Sequence, residues 1–268
     1  MNARETIARI LAVLGCALLF VLLALPLVSL FVRRPPTEVL AHLGDPLVLD
    51  ALRLSVLTSV AATVLVVFMG LPAAYLLATR RFPGKGLVEL LVQLPMVLPP
   101  TVSGFALLLA FGRMGLAGKT LGAFGIQLPF TTLGVVLAQV FMAVPFFVLA
   151  ARSGFESVDV RLREAAATLR AGELHTALHV LLPIALPSLV AGATMACARA
   201  VGEFGATITF AGNMPGVTQT MPLAVYLALQ TDLDAAIALS VLLVALAIGL
   251  LVGVQATGGA VLRPRSRA

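Results

Sequence analysis

The stretch EAAATLRAGELHTALHVLLP, residues 164–183, is charged and rich in alanine, while most of the chain around it is apolar. Four long apolar runs precede this stretch and two follow it, at about residues 10–32, 52–79, 87–111, 131–151, 183–211 and 235–256. Each run is near or above the roughly 20 residues that a transmembrane helix requires. The sequence therefore predicts an all-α integral membrane protein with about six transmembrane helices, in which the quoted stretch connects the fourth to the fifth.

Composition supports a membrane protein and argues against a nucleic-acid-binding protein. The 268 residues are 60% hydrophobic and 11% charged, whereas soluble domains are usually nearer half apolar and a quarter charged. The net charge is +6, but no basic run alternates with aromatic residues and tryptophan is absent. The first run follows Arg4 and Arg9 as in a signal peptide, yet it exceeds the usual apolar length and has no clear cleavage site, so we expect a retained helix.

The distribution of Lys and Arg predicts the orientation. With the N-terminus in the cytosol, twelve Lys and Arg residues fall in inner segments and five in outer ones, with Arg199 left inside the fifth run. Because positive residues are retained in cytosolic loops, we expect both termini inside and a multi-pass protein of the bacterial inner membrane. The segment 159–183 then lies in the cytosol.

The pattern within 159–183 predicts two short amphipathic helices. Asp159 is a plausible N-cap, Gly172 is expected to end the first helix in a left-handed conformation, and Pro183 suits the first turn of the fifth span. The apolar positions are Leu162, Ala166, Leu169, Leu174, Ala177, Leu178 and Leu181. Such helices lie in the lipid interface, cap their own bundle, or dock into a groove on another protein, and the residues leave these three roles open.

The same stretch resembles the EAA loop of ABC importer permeases. The family pattern is EAA, three residues, Gly, nine residues, Ile, one residue and Leu-Pro. Glu164, Ala165 and Ala166 match its start, Val180 stands for the Ile, and Leu182 and Pro183 match its end. The pattern's Gly falls on Arg170, and Gly172 follows two residues later.

Further motifs are similar to those of the molybdate branch of these permeases. The phrase GEFGATITF is followed by a loop of the form N-x-P-G-x-T-x-T-x-P, and QLPMVLPPTVSG and RRFPGKG also resemble that branch. The resemblance covers about residues 48–250. It divides the chain into an N-terminal helix and outer loop at 1–47, a permease core at 48–258 and a basic cytosolic tail at 259–268.

The resemblance implies a type I ABC importer permease fold and a set of partners. The permease is expected to form a homodimer, to bind two cytosolic ATPase subunits and to receive its oxyanion from an external binding protein. Residues expected to contact the ATPase are Glu164, Ala165, Ala166, Gly172, Leu182 and Pro183. ATP belongs to the partner subunits, and no cofactor is expected in this chain.

Two ionisable residues lie within the fifth span, where such residues are functional candidates by default. Arg199 and Glu203 are four residues apart and share one helix face. They predict either a mutual ion pair that fixes helix packing, or a site at which Arg199 attracts an oxyanion and the negative charge of Glu203 weakens its binding. Hydroxyl groups that could line a pathway belong to Thr101, Ser103, Thr207 and Thr209, although such groups also bond within helices.

Rival functions receive less support from the sequence. GRMGLAGKT lacks the spacing of a phosphate-binding loop, and His175 and His179 have no third metal ligand nearby, so we do not expect an ATPase or a metal site here. An ion-coupled secondary carrier would require acidic or His relays and often internal repeats. Within the importer class, sulfate, tungstate and other oxyanions remain alternatives to molybdate, and molybdate and sulfate, both tetrahedral dianions, would barely be separated by residues of the spans.

Overall fold

The computed structural model describes residues 3–33 and 44–262, and within these ranges the regular structure is helical. Five helical segments of this part are long and apolar enough to cross a membrane: Arg9–Arg33, Pro46–Thr79, Thr132–Glu156, Glu173–Val201 and Leu233–Ala256. They match five of the six predicted spans. The all-α membrane fold is therefore confirmed, and the remaining predicted span, the third, has a different form.

The helices of the described residues are labelled here in chain order. They are α1 (Ala3–Arg33), α2 (Pro46–Thr79), α3 (Lys85–Val97), α4 (Pro100–Phe111), α5 (Gly118–Ala123), α6 (Thr132–Glu156), α7 (Val160–Thr168), α8 (Glu173–Thr176), α9 (Leu182–Val201), α10 (Gly205–Phe210), α11 (Met221–Thr231) and α12 (Leu233–Leu262). A π-helical segment, Ala177–Leu181, joins α8 to α9. Residues 263–268, with the three arginines of the predicted basic tail, lie outside the described residues.

The third span consists of two shorter helices, α3 and α4, and not of the single helix that the apolar run suggests. The chain is extended at Leu98 and Pro99, and Pro100 opens α4. Two successive prolines supply no backbone N–H, and each restricts the residue before it, so the helix ends here. At 1.5 Å per residue the two halves together reach about 37 Å, enough to cross a hydrocarbon core of about 30 Å.

Helix α6 lies at the centre of the fold and packs most extensively against α9 and α2. Small and branched apolar side chains form this core, among them Ala143, Phe147 and Ala185, each with 1% or less of its surface exposed. A second cluster joins the N-terminal end of α2 to α11 and α12, and a third joins α4, α6 and α10. In contrast, the α1 segment Arg9–Arg33 has no buried residue in its apolar window.

The connections predicted to lie outside contain structure that the sequence pattern missed. Helix α2 begins at Pro46, earlier than predicted, because the carboxylate of Asp45 accepts a hydrogen bond of 2.9 Å from Leu47 N. Arg53, counted among the outer-loop residues from the sequence, therefore lies on the exposed surface of α2. Helix α11 lies inside the predicted loop 212–234, where Ser55 Oγ accepts a 2.7 Å hydrogen bond from Met221 N and fixes the start of that helix.

Candidate coupling surface and helix-break site

The predicted coupling region, residues 159–183, begins with the helix α7. Asp159 is its N-cap, as predicted, and its carboxylate accepts a 2.9 Å hydrogen bond from Arg161 N. Ala166 is buried, whereas Glu164 and Ala165 are exposed. Of the predicted apolar face, Ala166 is covered by the described residues, whereas Leu162 and Leu169 are 44% and 83% exposed. Glu164 and these two leucines are therefore accessible to another surface.

The turn after α7 differs from the prediction. Arg170, and not Gly172, has the left-handed conformation, with φ +55°. Gly172 is extended, with φ −63° and ψ 156°, and it is the N-cap of α8. The left-handed residue therefore lies where the EAA pattern has its Gly, and this chain places an arginine there. A non-glycine residue in this region carries a strain of roughly 1 kcal/mol.

The second predicted short helix is continuous with the fifth span. The helical backbone runs from Glu173 to Val201, and Leu182 N bonds to Ala177 O across a π turn. Pro183 lies in the first turn of α9, as predicted, but helical backbone precedes it without a break. Pro183 has no N–H and its ring displaces the carbonyl four residues earlier, and a wider turn directly before it accommodates this. Leu182 is partly buried, and Pro183 is exposed.

An ion pair ties this long helix to the C-terminal end of α2. The Glu173 carboxylate accepts hydrogen bonds from Arg80 Nη2 and, at 3.3 Å, from Tyr75 Oη. These partners are more than ninety residues apart in sequence. No local pattern indicates such a pair, so the sequence did not predict it.

Near the middle of the bundle, two helix breaks lie against each other. One is the break between α3 and α4, and the other is residues 202–204, between α9 and α10. A Cβ on Gly104 would lie 2.6 Å from Ala206 O, and a Cβ on Gly205 would lie 2.7 Å from Pro100 Cβ. Glycine at both positions is therefore what lets α4 and α10 approach this closely. We call this contact the helix-break site.

Arg199 and Glu203 form the predicted ion pair beside this site. Arg199 Nη2 lies 2.5 Å from Glu203 Oε2, without the geometry of a well-directed hydrogen bond. The Glu203 side chain is 1% exposed and that of Arg199 is 22% exposed. The other carboxylate oxygen, Oε1, accepts a 2.7 Å hydrogen bond from Ala206 N. Glu203 therefore both neutralises Arg199 and caps the first turn of α10.

The predicted pathway hydroxyls divide into three kinds. Thr101 is exposed at the start of α4, and Thr209 donates to Gly205 O at 2.8 Å. Ser103 and Thr207 are fully buried, and neither hydroxyl has a hydrogen-bond partner among the described residues. An unsatisfied buried polar group costs about 1–3 kcal/mol. Ser103 and Thr207 are therefore the hydroxyls that would gain most from a water molecule or a polar ligand.

The comparison with family descriptions decides the class of protein. Residues 68–257 match the family described as "Binding-protein-dependent transport system inner membrane component". The chain belongs to this family. It is therefore a membrane component of a transport system, in agreement with the multi-pass inner-membrane location expected from the apolar runs.

Relatives within this family include two named molybdenum transport proteins. The chain is 45% identical over 236 residues to the "Molybdenum transport system permease protein ModB" of Mycobacterium tuberculosis, covering 88% of this chain and 89% of that protein. It is 44% identical over 182 residues to the Escherichia coli K12 protein of the same name, covering 66% and 80%.

A solved structure gives the fold of this family member. A chain of the "Crystal structure of bacterial alginate ABC transporter in complex with alginate pentasaccharide-bound periplasmic protein" superposes with a TM-score of 0.75 at 14% identity, covering 98% and 99% of the two chains. The inner membrane component described here thus has the fold of an ABC importer permease.

One polar residue of this family member near the break was not singled out from the sequence. Gln139 on α6 is 1% exposed, and its Oε1 has no hydrogen-bond partner among the described residues. The signal was available, because Gln139 is the single amide in the fourth apolar run. Its neighbour in sequence, Ala138, packs in the same cluster as Ala206 and Phe210.

The histidine pair lies on the outside of the coupling region. The rings of His175 and His179 are exposed and stack with their centroids 4.2 Å apart. Among the described residues, no group of three or more His, Cys, Asp and Glu could hold a metal ion. The pair is therefore described as a surface feature of α8 and the π segment.

Proposed function

We propose that this chain is the permease subunit of an ATP-driven oxyanion importer, and that its substrate is molybdate. The observation that carries the proposal is the 45% identity, over 88% of the chain, with a molybdenum transport permease. Molybdate is a tetrahedral dianion. The chain itself is not expected to hydrolyse ATP, since its closest approach to a phosphate loop has the wrong spacing.

The proteins with which this chain assembles are inferred from its family and from the exposed coupling region. We expect two copies of the chain to form one pathway, two cytosolic ATPase subunits to bind the coupling regions, and an external protein to deliver the oxyanion. Glu164 and Ala165 on α7 provide the contact for the ATPase, with the buried Ala166 packed beneath them and Gly172, Leu182 and Pro183 shaping the segment behind it. Exposure of Glu164, Leu162 and Leu169 supports this role, because an accessible charged and apolar helix surface suits a protein groove.

The helix-break site is our candidate for the pathway. Broken helices leave backbone groups that must be satisfied by protein or by a wet cavity. Arg199 is partly exposed there, Thr101 lies at the start of α4, and Ser103 and Thr207 hold unpaired hydroxyls. Glu203 neutralises much of the positive charge, so an oxyanion would be held weakly enough to leave, as conduction requires.

The test is reconstitution of the full chain with its ATPase and binding protein in proteoliposomes, with the coupling region facing ATP. We expect saturable uptake of radiolabelled molybdate that requires both ATP and the binding protein. Uptake that follows a proton or sodium gradient without ATP would instead assign the chain to the ion-coupled carriers.

Selection among oxyanions needs a separate measurement. Molybdate, tungstate and sulfate have the same shape and charge, so residues at the helix-break site should discriminate little between them. We expect the competitor ranking in the uptake assay to follow the affinities of the isolated binding protein. A different ranking would place part of the selectivity in this chain, at or near Arg199.

A further inference from the structure

Two adjoining cavities open where the Glu173–Val201 helix passes the cytosolic end of α2. The first, of about 470 Å³, is apolar and is lined mainly by Leu71, Pro72, Phe155, Leu174, Leu178 and Leu182. The second, of about 330 Å³, is polar and is lined by Thr79, Arg80, Arg163, Ala167 and Thr176, among others. Tyr75 and Glu173 line both. We call the pair the inner cleft.

The two cavities are offset along α2. Leu71 and Pro72 line the apolar cavity and precede Thr79 and Arg80, which line the polar cavity, by eight residues, or about 12 Å along the helix. On the Glu173–Val201 helix the two cavities lie side by side. Along α2 the apolar cavity therefore lies towards the interior of the span and the polar cavity at its end, which is the order of the acyl chain and the headgroup in a phospholipid.

The charged residues that line the polar cavity carry one net positive charge, which a single anion would balance. The cavity contains the cations Arg80 and Arg163 and the anion Glu173, which is paired with Arg80. Arg163 Nε is buried, and it has no hydrogen-bond partner among the described residues. A buried donor of this kind is costly until an acceptor reaches it. One phosphodiester, with a single negative charge, would balance the cavity and supply that acceptor.

We propose that the inner cleft binds an anionic phospholipid of the inner leaflet. Its phosphodiester bonds to Arg163 in the polar cavity, and one acyl chain occupies the apolar cavity between α2, α6 and the Glu173–Val201 helix. Basic pockets between transmembrane helices on the cytosolic side are a known setting for lipid headgroups. A soluble oxyanion would fill the polar half only, and Leu174, which is 72% exposed, would remain in contact with water.

The lipid would connect three elements that otherwise meet through few polar contacts. Arg163 belongs to α7, Tyr75 and Arg80 belong to α2 and the residue after it, and Glu173 begins the long helix. A headgroup bonded among them fixes the coupling region against the bundle. The proposal goes beyond transport itself, and its measurement needs neither molybdate nor the binding protein.

The experiment is to place the complex of this chain and its ATPase in nanodiscs of mixed phosphatidylglycerol and phosphatidylcholine, and to identify retained lipid by native mass spectrometry. We expect retained phosphatidylglycerol in clear excess over phosphatidylcholine. Arg163→Gln should reduce the retained phosphatidylglycerol about tenfold, the equivalent of one lost charge-assisted hydrogen bond. The matched control is Arg161→Gln, on the same helix but outside the cleft lining, and it should retain lipid as the unmodified chain does.

A second variant tests the apolar half independently. Ala177 lines the apolar cavity. Ala177→Phe should fill this cavity and lower the retention of phosphatidylglycerol by a similar factor without removing a charge. This variant keeps the proposal testable if Arg163→Gln fails to fold, which the thermal unfolding midpoint of the complex will show.

Four outcomes would overturn the proposal. Equal retention of the two lipids would leave no role for the arginines, and unchanged retention in both variants would place the lipid elsewhere. Displacement of phosphatidylglycerol by inorganic phosphate would assign Arg163 to a soluble anion. Retention by the chain alone but not by its complex would assign the cleft to the ATPase.

Discussion

The third and fifth spans both contain prolines, but their helices respond differently. The third breaks at Leu98–Pro99, whereas the helix Glu173–Val201 continues through Pro183 and Pro187. At the break, two adjacent prolines remove successive N–H groups. At Pro183, the preceding π turn accommodates a single proline. The fifth span then breaks at residues 202–204, where there is no proline and the Glu203 carboxylate caps the new turn.

This difference teaches that proline alone does not determine where a helix breaks. A helix breaks where the released backbone groups find other partners, and it continues where a wider turn absorbs the misfit. The fifth span is therefore continuous through its prolines at its N-terminal end and broken at residues 202–204, against the break in the third span. The predictions below test whether these two regions perform different tasks.

The largest expected effect on stability is at the Arg199–Glu203 ion pair beside the helix-break site. Arg199→Leu leaves the buried carboxylate of Glu203 without its partner, which typically costs about 3–5 kcal/mol. We expect a marked fall in the yield and thermal unfolding midpoint of the assembled protein. The double variant Arg199→Met with Glu203→Gln should recover most of the loss, since the amide oxygen of the new side chain can still accept from Ala206 N. A single variant that assembles normally but transports poorly would instead favour a direct role of Arg199 in the pathway.

The close approach of α4 and α10 at the helix-break site should be the feature next most sensitive to substitution. Gly104→Ala places a methyl group against Ala206 O and should cost about 1–3 kcal/mol through overpacking. Gly249→Ala is the control, because its Cβ would meet no atom within 4 Å on α12 and a helical alanine is favoured. The thermal unfolding midpoint should fall for the first and hold or rise for the second. Equal unfolding midpoints for the two variants would show that α4 and α10 can move apart without a loss of stability.

A third prediction concerns activity and leaves stability unchanged. Glu164→Arg alters an exposed side chain, so the unfolding midpoint should not move. Stimulation of ATP hydrolysis by the loaded binding protein should fall about tenfold, as expected if one charged contact with the ATPase is lost. Asp50→Arg, an exposed charge reversal at the opposite end of α2, is the control and should retain stimulation. Uptake at the unmodified rate in Glu164→Arg would refute the coupling role of this residue.

The smallest effect distinguishes the two candidates for the left-handed turn residue. Arg170→Gly should stabilise the protein by up to about 1 kcal/mol, because glycine adopts a positive φ without strain. Gly172→Ala should be close to neutral, since its extended backbone suits any residue. Both are measured by thermal unfolding of the same complex. A loss of stability in Gly172→Ala alone would restore the original prediction for this turn.

Local chemistry explains what the sequence could predict. The spans follow from apolar runs, the Asp159 cap from its position before a helical pattern, and the Arg199–Glu203 pair from its four-residue spacing. The remaining features depend on contacts between distant segments. Glu173 meets Arg80 only after α2 and α8 pack together, and α11 is fixed by Ser55 from a different helix. The break at residues 202–204 lacks proline, so its signal became visible only through the contact of Gly205 with Pro100.

The uninterrupted helix has a mechanical consequence. Its 29 residues form a rod of about 43 Å, so that a tilt of roughly 5° about one end displaces the other by about 4 Å. That displacement approaches the diameter of a small anion. When the helix pivots at its N-terminal tip, its far end, where residues 202–204 lead into α10, moves by this distance relative to the tip.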